Sequence, residues 1–163
     1  MDPQLTSLIV PTEEIMQIED CLTHLVEDTG GSHALLLDKS GQVITSMGEG
    51  NQDVTALGAL IAGTFASSRE VAKLLREKDF RMLFQQGVRE NIFIALIEEQ
   101  WILCIIFSKG THIVLVKVLT KKATDELAAV LDRVRHQHKQ RDEVLGSSFR
   151  TSMEDTIDLL FRD

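Results

Sequence analysis

A chain of 163 residues, 44% hydrophobic and 26% charged, has the size and composition of one globular domain with room for a tail. Its net charge of −8 argues against sequence-independent nucleic-acid binding, which needs a basic footprint. No run of about 20 apolar residues is present to insert into a membrane.

MDPQLTSLIVP, at the N-terminus, has no basic start before its short apolar run, so a secretion signal is not expected and cytoplasmic residence is the default. Cys21 and Cys104 lie within apolar patterns and read as small buried hydrophobes, not as a disulfide.

Thr12 to Asp28 has the pattern of a first helix: Glu13 and Glu14 fall in its first turn, and Ile15, Ile18, Leu22, Leu25 and Val26 recur on one face. Gly30 and Gly31 end it. His33 to Leu37 and Gln42 to Met47 are apolar runs joined by Asp38-Lys39-Ser40-Gly41, a tight-turn composition that predicts a β-hairpin. A polar loop, Gly48 to Gln52, leads into a second helix, which Arg76 to Asp79 leaves.

Phe80 to Gly87 is a weaker strand candidate, whereas Asn91 to Ile97 and Trp101 to Phe107 are almost continuously apolar, as strands covered on both faces are. The first and second helices are therefore expected on opposite faces of one antiparallel sheet, with another chain as the alternative cover. Thr111 to His138 admits two readings. HIVLVKVL alone suits a sixth strand before a shorter helix, while Val116, Ala123, Leu127, Val130, Leu131 and Val134 hold one helical face and favour a single long helix from about Thr111.

Gln140 to Thr151 is charged and then small and polar, which reads as a linker. Ser152 to Asp163 follows as a short helix, with Ser152 as its cap, Glu154 and Asp155 in its first turn, and Met153, Ile157, Leu160 and Phe161 on one face. Such a short helix is marginal alone in water, so it either docks on its own domain or waits for a partner.

The second helix, Asp53 to Leu75, organises the rest. Asp53 is a good N-cap, and winding at about 100° per residue puts Leu57, Ile61, Phe65, Val71 and Leu75 on the side expected to meet the core. The opposite side carries Ala56, Ala59, Gly63, Ala66 and Ser67 before the first charge, Glu70. Gly63 inside a helix costs roughly 1 kcal/mol relative to Ala, so a smooth stripe containing it points to the close approach of another backbone.

Catalytic and ligand motifs are not found. Gly30-Gly31 and Gly48-Glu49-Gly50 lack the lysine and helix context of a phosphate loop. His136 and His138 diverge on a helix and have no completing ligand set, and His24 and His112 read as surface or satisfied residues. Glu13-Glu14 and Glu98-Glu99 are adjacent pairs, unlike a spaced acid/base couple. No cofactor or metal is expected. The basic cluster Arg133, Arg135, Lys139 and Arg141 suits a solvated helix end.

The order helix, hairpin, helix, three strands, long helix resembles the Roadblock family, and within it the MglB branch. The likeness is carried by Leu36-Leu37-Asp38-Lys39-Ser40-Gly41-Gln42-Val43-Ile44, by Leu60-Ile61-Ala62-Gly63 with Ala66, by Lys121-Lys122-Ala123-Thr124-Asp125-Glu126-Leu127 and by Asp155-Thr156-Ile157-Asp158-Leu159-Leu160-Phe161. The resemblance implies an α+β, profilin-like α/β/α sandwich: a five-stranded antiparallel sheet with helices on both faces, plus a C-terminal amphipathic helix on a linker. It divides the chain into a Roadblock domain at 1–139, a linker at 140–151 and a tail helix at 152–163.

By the same resemblance the protein is a homodimer whose middle helices meet across a two-fold axis and whose strands extend the sheet between subunits. Its implied partner is a Ras-like small GTPase of the MglA type, bound by two subunits and activated without an arginine finger, in a polarity or motility system of the cytoplasm that could concentrate at a cell pole. The protein would then be an activator with no catalytic site of its own, and Arg69, Arg76 and Arg89 would be solvent-facing charges. Ala56, Ala59, Ala62, Gly63, Ala66, Ser67 and Glu70 are the expected partner or dimer contacts. Met153, Ile157, Leu160 and Phe161 are the expected GTPase-docking tail. Competing expectations are a Roadblock scaffold that leaves hydrolysis unchanged and an exchange regulator that speeds nucleotide release; a small enzyme is disfavoured.

Overall fold

The computed structural model describes residues 10–78 and 80–162. The N-terminal stretch at 1–9, Asp79 in the loop after the second helix and Asp163 at the end of the tail lie outside the described residues.

Helix α1 (Thr12–Thr29) ends on Gly30, which at φ 64° caps it in the left-handed conformation that glycine adopts at little cost. Strands β1 (Gly31–Asp38) and β2 (Val43–Gly48) form the hairpin. Its turn is held by Asp38 Oδ1, which accepts from Ser40 N at 2.9 Å, Ser40 Oγ at 2.5 Å and Gln42 N at 3.1 Å. Helix α2 (Val54–Leu74) begins at the expected cap, Asp53, whose carboxylate accepts from Ala56 N at 3.1 Å. Strands β3 (Met82–Gln86), β4 (Glu90–Ile97) and β5 (Trp101–Ser108) complete one antiparallel sheet in the order β2-β1-β5-β4-β3.

Alternation along the three central strands builds two cores. Ala34, Leu36, Phe93, Leu103 and Ile105 face α1 and the third helix, joined by Ile18, Leu22 and Leu127. Leu35, Leu37, Ile94, Ile102 and Cys104 face α2 and meet Ile61, Ala62 and Phe65. The continuously apolar β4 and β5 are thus covered on both faces, as their composition demands.

Helix α3 (Ile113–Leu160) runs unbroken for 48 residues and settles the two readings of 112–119 in favour of helix. It also corrects the expected linker, because 140–151 is helical and Ser152 lies inside the helix instead of capping a new one. Gln140, Arg141, Glu143 and Leu145 are good helix formers, no proline interrupts them, and Gly146 alone is too small a penalty to break the helix. Val134 is the last fully buried residue, and 139–162 is exposed throughout, leaving a helical arm of roughly 33 Å beyond the domain.

Candidate protein-interaction surfaces

The inner side of α2 is set by small residues that apolar patterning overlooks. Gly58, Ile61, Ala62, Phe65 and Ala72 are buried, whereas Val71 and Leu75, expected in the core, are exposed. Six residues on from Phe65 the helix has turned by about 600°, which carries Val71 well off the buried side, while seven residues restores it at Ala72. Ala62 is corrected for the same reason: it packs under α2 against the sheet and is closed to a partner.

Gly58 is the glycine where backbones meet. A Cβ there would lie 2.6 Å from Val43 Cγ2 and 2.9 Å from Gly41 O, so its absence seats α2 on the hairpin turn. A Cβ at Gly63 would meet nothing within 4 Å.

The outer side of α2 is where the other expected contacts gather. Ala56, Ala59, Gly63, Ala66, Ser67 and Glu70 are all exposed there, with Leu60 70% and Leu74 85% exposed among them. Ser67 Oγ donates to Gly63 O at 3.0 Å and Thr64 Oγ1 to Leu60 O at 2.9 Å, so these hydroxyls are satisfied by their own helix and need no water. Charge begins only at the C-terminal end, with the exposed Glu70–Lys73 pair at 2.7 Å. Bare, small and internally satisfied, this stripe can let a second helix approach closely.

Met153, Ile157, Leu160 and Phe161 are exposed on the distal arm of α3, and Leu145 and Phe149 extend their stripe back toward the domain. Among the described residues nothing covers this stripe.

A third surface was not singled out from the sequence. Between edge strand β3 and the N-terminal half of α3 lies a cleft of about 210 Å³, with Met82, Phe93, Ala95 and Leu96 as its apolar wall and Arg81 and Lys121 at its rim. Thr120 lines it and is 1% exposed, and its Oγ1 has no hydrogen-bond partner among the described residues. Val114 and Val118 are exposed on α3 nearby in sequence, which is why HIVLVKVL, with Lys117 as its one charge, has so little polar side that it mimics a strand. That all-round apolarity was the available signal.

Catalytic chemistry finds little support. Among the described residues no three His, Cys, Asp or Glu are grouped to hold a metal. Both cysteines are free. Burial pushes each thiol up to about 12, assisted at Cys21 by the neighbouring Glu126 carboxylate, so neither is a ready nucleophile. Arg76 and Arg89 are exposed, while Arg69 is half-buried and engaged with the rest of the chain. No described helix is long and apolar enough to cross a membrane.

A five-stranded sheet with one helix on one face and two on the other, with uncharged helical surfaces left exposed, is a small α+β module whose open faces suit contact with another protein. The chain belongs to the Roadblock/LC7 domain family, whose model matches residues 17–107. No curated protein matches the sequence. Among solved structures the chain is similar to Myxococcus xanthus MglB, at 32% identity over 74% of this chain and 98% of that one, with a TM-score of 0.71. It is also similar to the gliding protein MglB of Thermus thermophilus, at 26% identity over 82% and 99% of the two chains and a TM-score of 0.74. An MglB described in a tetrameric arrangement matches at 25% identity over 82% and 99%, with a TM-score of 0.75. The profilin-like sandwich implied by the sequence resemblance is the fold observed.

Proposed function

We infer that this chain is a homodimeric regulator of a Ras-like small GTPase of the MglA type and that it raises the GTPase's rate of hydrolysis. The observation that carries the reading is the exposed, uncharged outer stripe of α2 from Ala56 to Ser67, a surface suited to being covered. The likeness to MglB of Myxococcus and to a gliding protein of Thermus supports this reading; the GTPase partner, the motility or polarity setting in the cytoplasm and concentration at a pole are parts of the same proposal.

Two α2 stripes meet across a two-fold axis, and the free edge of β3 lies beside its counterpart, so that the dimer presents one composite surface to one GTPase. The distal arm docks Met153, Ile157, Leu160 and Phe161 on the GTPase. With no arginine finger assigned, acceleration comes from holding the GTPase's own switch segments and catalytic residues in the productive arrangement. Phosphoryl transfer responds strongly to such positioning, and a binder needs only differential affinity for that conformation.

The test is a multiple-turnover GTPase assay with an MglA-type GTPase, with and without this protein. A rise in rate that saturates with two chains per GTPase supports the reading. An unchanged rate at saturating protein, with binding intact, leaves a scaffold, and accelerated nucleotide release without faster single-turnover hydrolysis makes the protein an exchange regulator.

A further inference from the structure

The cleft between β3 and α3 and the distal arm of α3 are each apolar and carry opposite charges beside their apolar faces. The arm carries Met153, Ile157 and Leu160 at i, i+4 and i+7, the spacing with which an amphipathic helix seats its anchors in an apolar groove. Winding at about 100° per residue places Glu154 and Asp158 to one side of those anchors and Asp155 on the opposite face. The cleft offers the apolar wall of Met82, Phe93 and Ala95, with Arg81 and Lys121 at its rim. Lys117, one turn before Lys121 on the same side of α3, adds a third cation. Lys121 is held at 2.6 Å by Asp125, but that pair is exposed and gives way readily to a better partner.

An arm cannot reach the cleft of its own chain. Lys121 and Ile157 are separated by about 54 Å of unbroken helix, and folding back would mean breaking α3. We propose that the arm of one chain docks in the β3–α3 cleft of a second copy, Met153, Ile157 and Leu160 facing the apolar wall and the flanking carboxylates facing Lys117, Lys121 and Arg81. Each copy has one arm and one cleft, so the exchange can be reciprocal and close as a pair. It needs neither the outer stripe of α2 nor a GTPase, but it takes the same arm residues that the function proposed above gives to the GTPase, so the two are alternative engagements of one surface and the test is made with no GTPase present.

The test uses the full chain. Copies labelled with ¹⁴N and ¹⁵N are refolded together from urea and treated with a carbodiimide, which joins touching carboxylates and lysines. The expected result is links from Glu154 or Asp158 to Lys117 or Lys121 in peptides of mixed isotope, reduced at least tenfold in Ile157→Glu. Ile157 is exposed, so this variant keeps the wild-type circular dichroism and the domain's unfolding midpoint. No arm-to-cleft link, links of a single isotope only, or mixed links that survive Ile157→Glu would each overturn the proposal. Arm links to another surface of the second copy would overturn it as well.

Discussion

Replacing Gly63 by arginine separates the folding of α2 from whatever covers it. The site opens on free space in the single chain, so the larger side chain meets no clash there. Arginine also favours helix over glycine by about 0.8 kcal/mol, so each isolated domain should keep or slightly gain stability. In a dimer whose α2 stripes meet at Ala59, Gly63 and Ala66, the same substitution places a charge from each subunit in a closely packed, uncharged contact. An uncompensated buried charge costs on the order of 3–5 kcal/mol, and each 1.4 kcal/mol is tenfold, so association should weaken by at least about 10²-fold and on the order of 10⁴-fold at the upper figure. Sedimentation velocity across a concentration series reads the association constant, and circular dichroism on the same samples confirms the fold. A Gly63→Arg protein that associates as wild type does would refute the assignment of this stripe to the dimer.

Gly58→Ala should act in the opposite direction to Gly63→Ala although both remove a helical glycine: the new methyl would crowd Val43 and Gly41, and overpacking of about 1–3 kcal/mol outweighs the helix gain, lowering the urea midpoint. Glu98 and Glu99 turn between β4 and β5 at φ 51° and 64°, so Glu99→Gly should raise stability by about 1 kcal/mol in chemical denaturation. Burial holds the Cys104 thiol protonated to about 12, above its ordinary 9.0, so its contribution is fully present below pH 9 and is lost as pH rises from 9 toward 12. The fall in stability over that window should flatten in Cys104→Ala, whatever the variant's absolute stability. Deleting 152–163, where every described side chain is exposed, should leave the domain's unfolding within about 0.5 kcal/mol of wild type; unfolding of the truncated chain would make the arm a core element.

What was legible in the sequence was local or strongly periodic. The Asp38–Gly41 turn announces itself because one carboxylate can satisfy several backbone donors, and Asp53 marks the start of α2 for the same reason. The unbroken apolar runs of β4 and β5 require helices on both faces, which are there. The rotation of α2 was less legible because the residues that seat it, Gly58, Ala62 and Ala72, are small, whereas Val71 and Leu75 are large and exposed. Hydrophobicity ranks the second pair higher; packing against a hairpin selects the first. In α3 the Gly146-Ser147-Ser148 run has the composition of a linker, yet helical hydrogen bonding continues through it. The edge cleft was hidden because its two sides, Met82 on β3 and Lys121 on α3, are far apart in the chain and meet only through the sheet.

The exposed surfaces differ in kind, and the difference sets an order of assembly. The α2 stripe is mostly Ala, Gly and Ser, with Leu60 exposed among them, so a second helix can approach to the short end of the usual 8–10 Å spacing and lose little side-chain entropy on docking. The arm presents Met153, Ile157 and Leu160 on the part of α3 whose described residues are all exposed, so each docking event must immobilise the arm and several long side chains at once. Contacts of the first kind suit a standing dimer, and contacts of the second kind suit an exchangeable one. The arm is therefore the natural point of control: it can release one surface and take another while α2 keeps two subunits together. Ile157→Glu should accordingly abolish arm exchange without lowering the α2-dependent association constant, and loss of both together would mean that the arm and α2 form one interface.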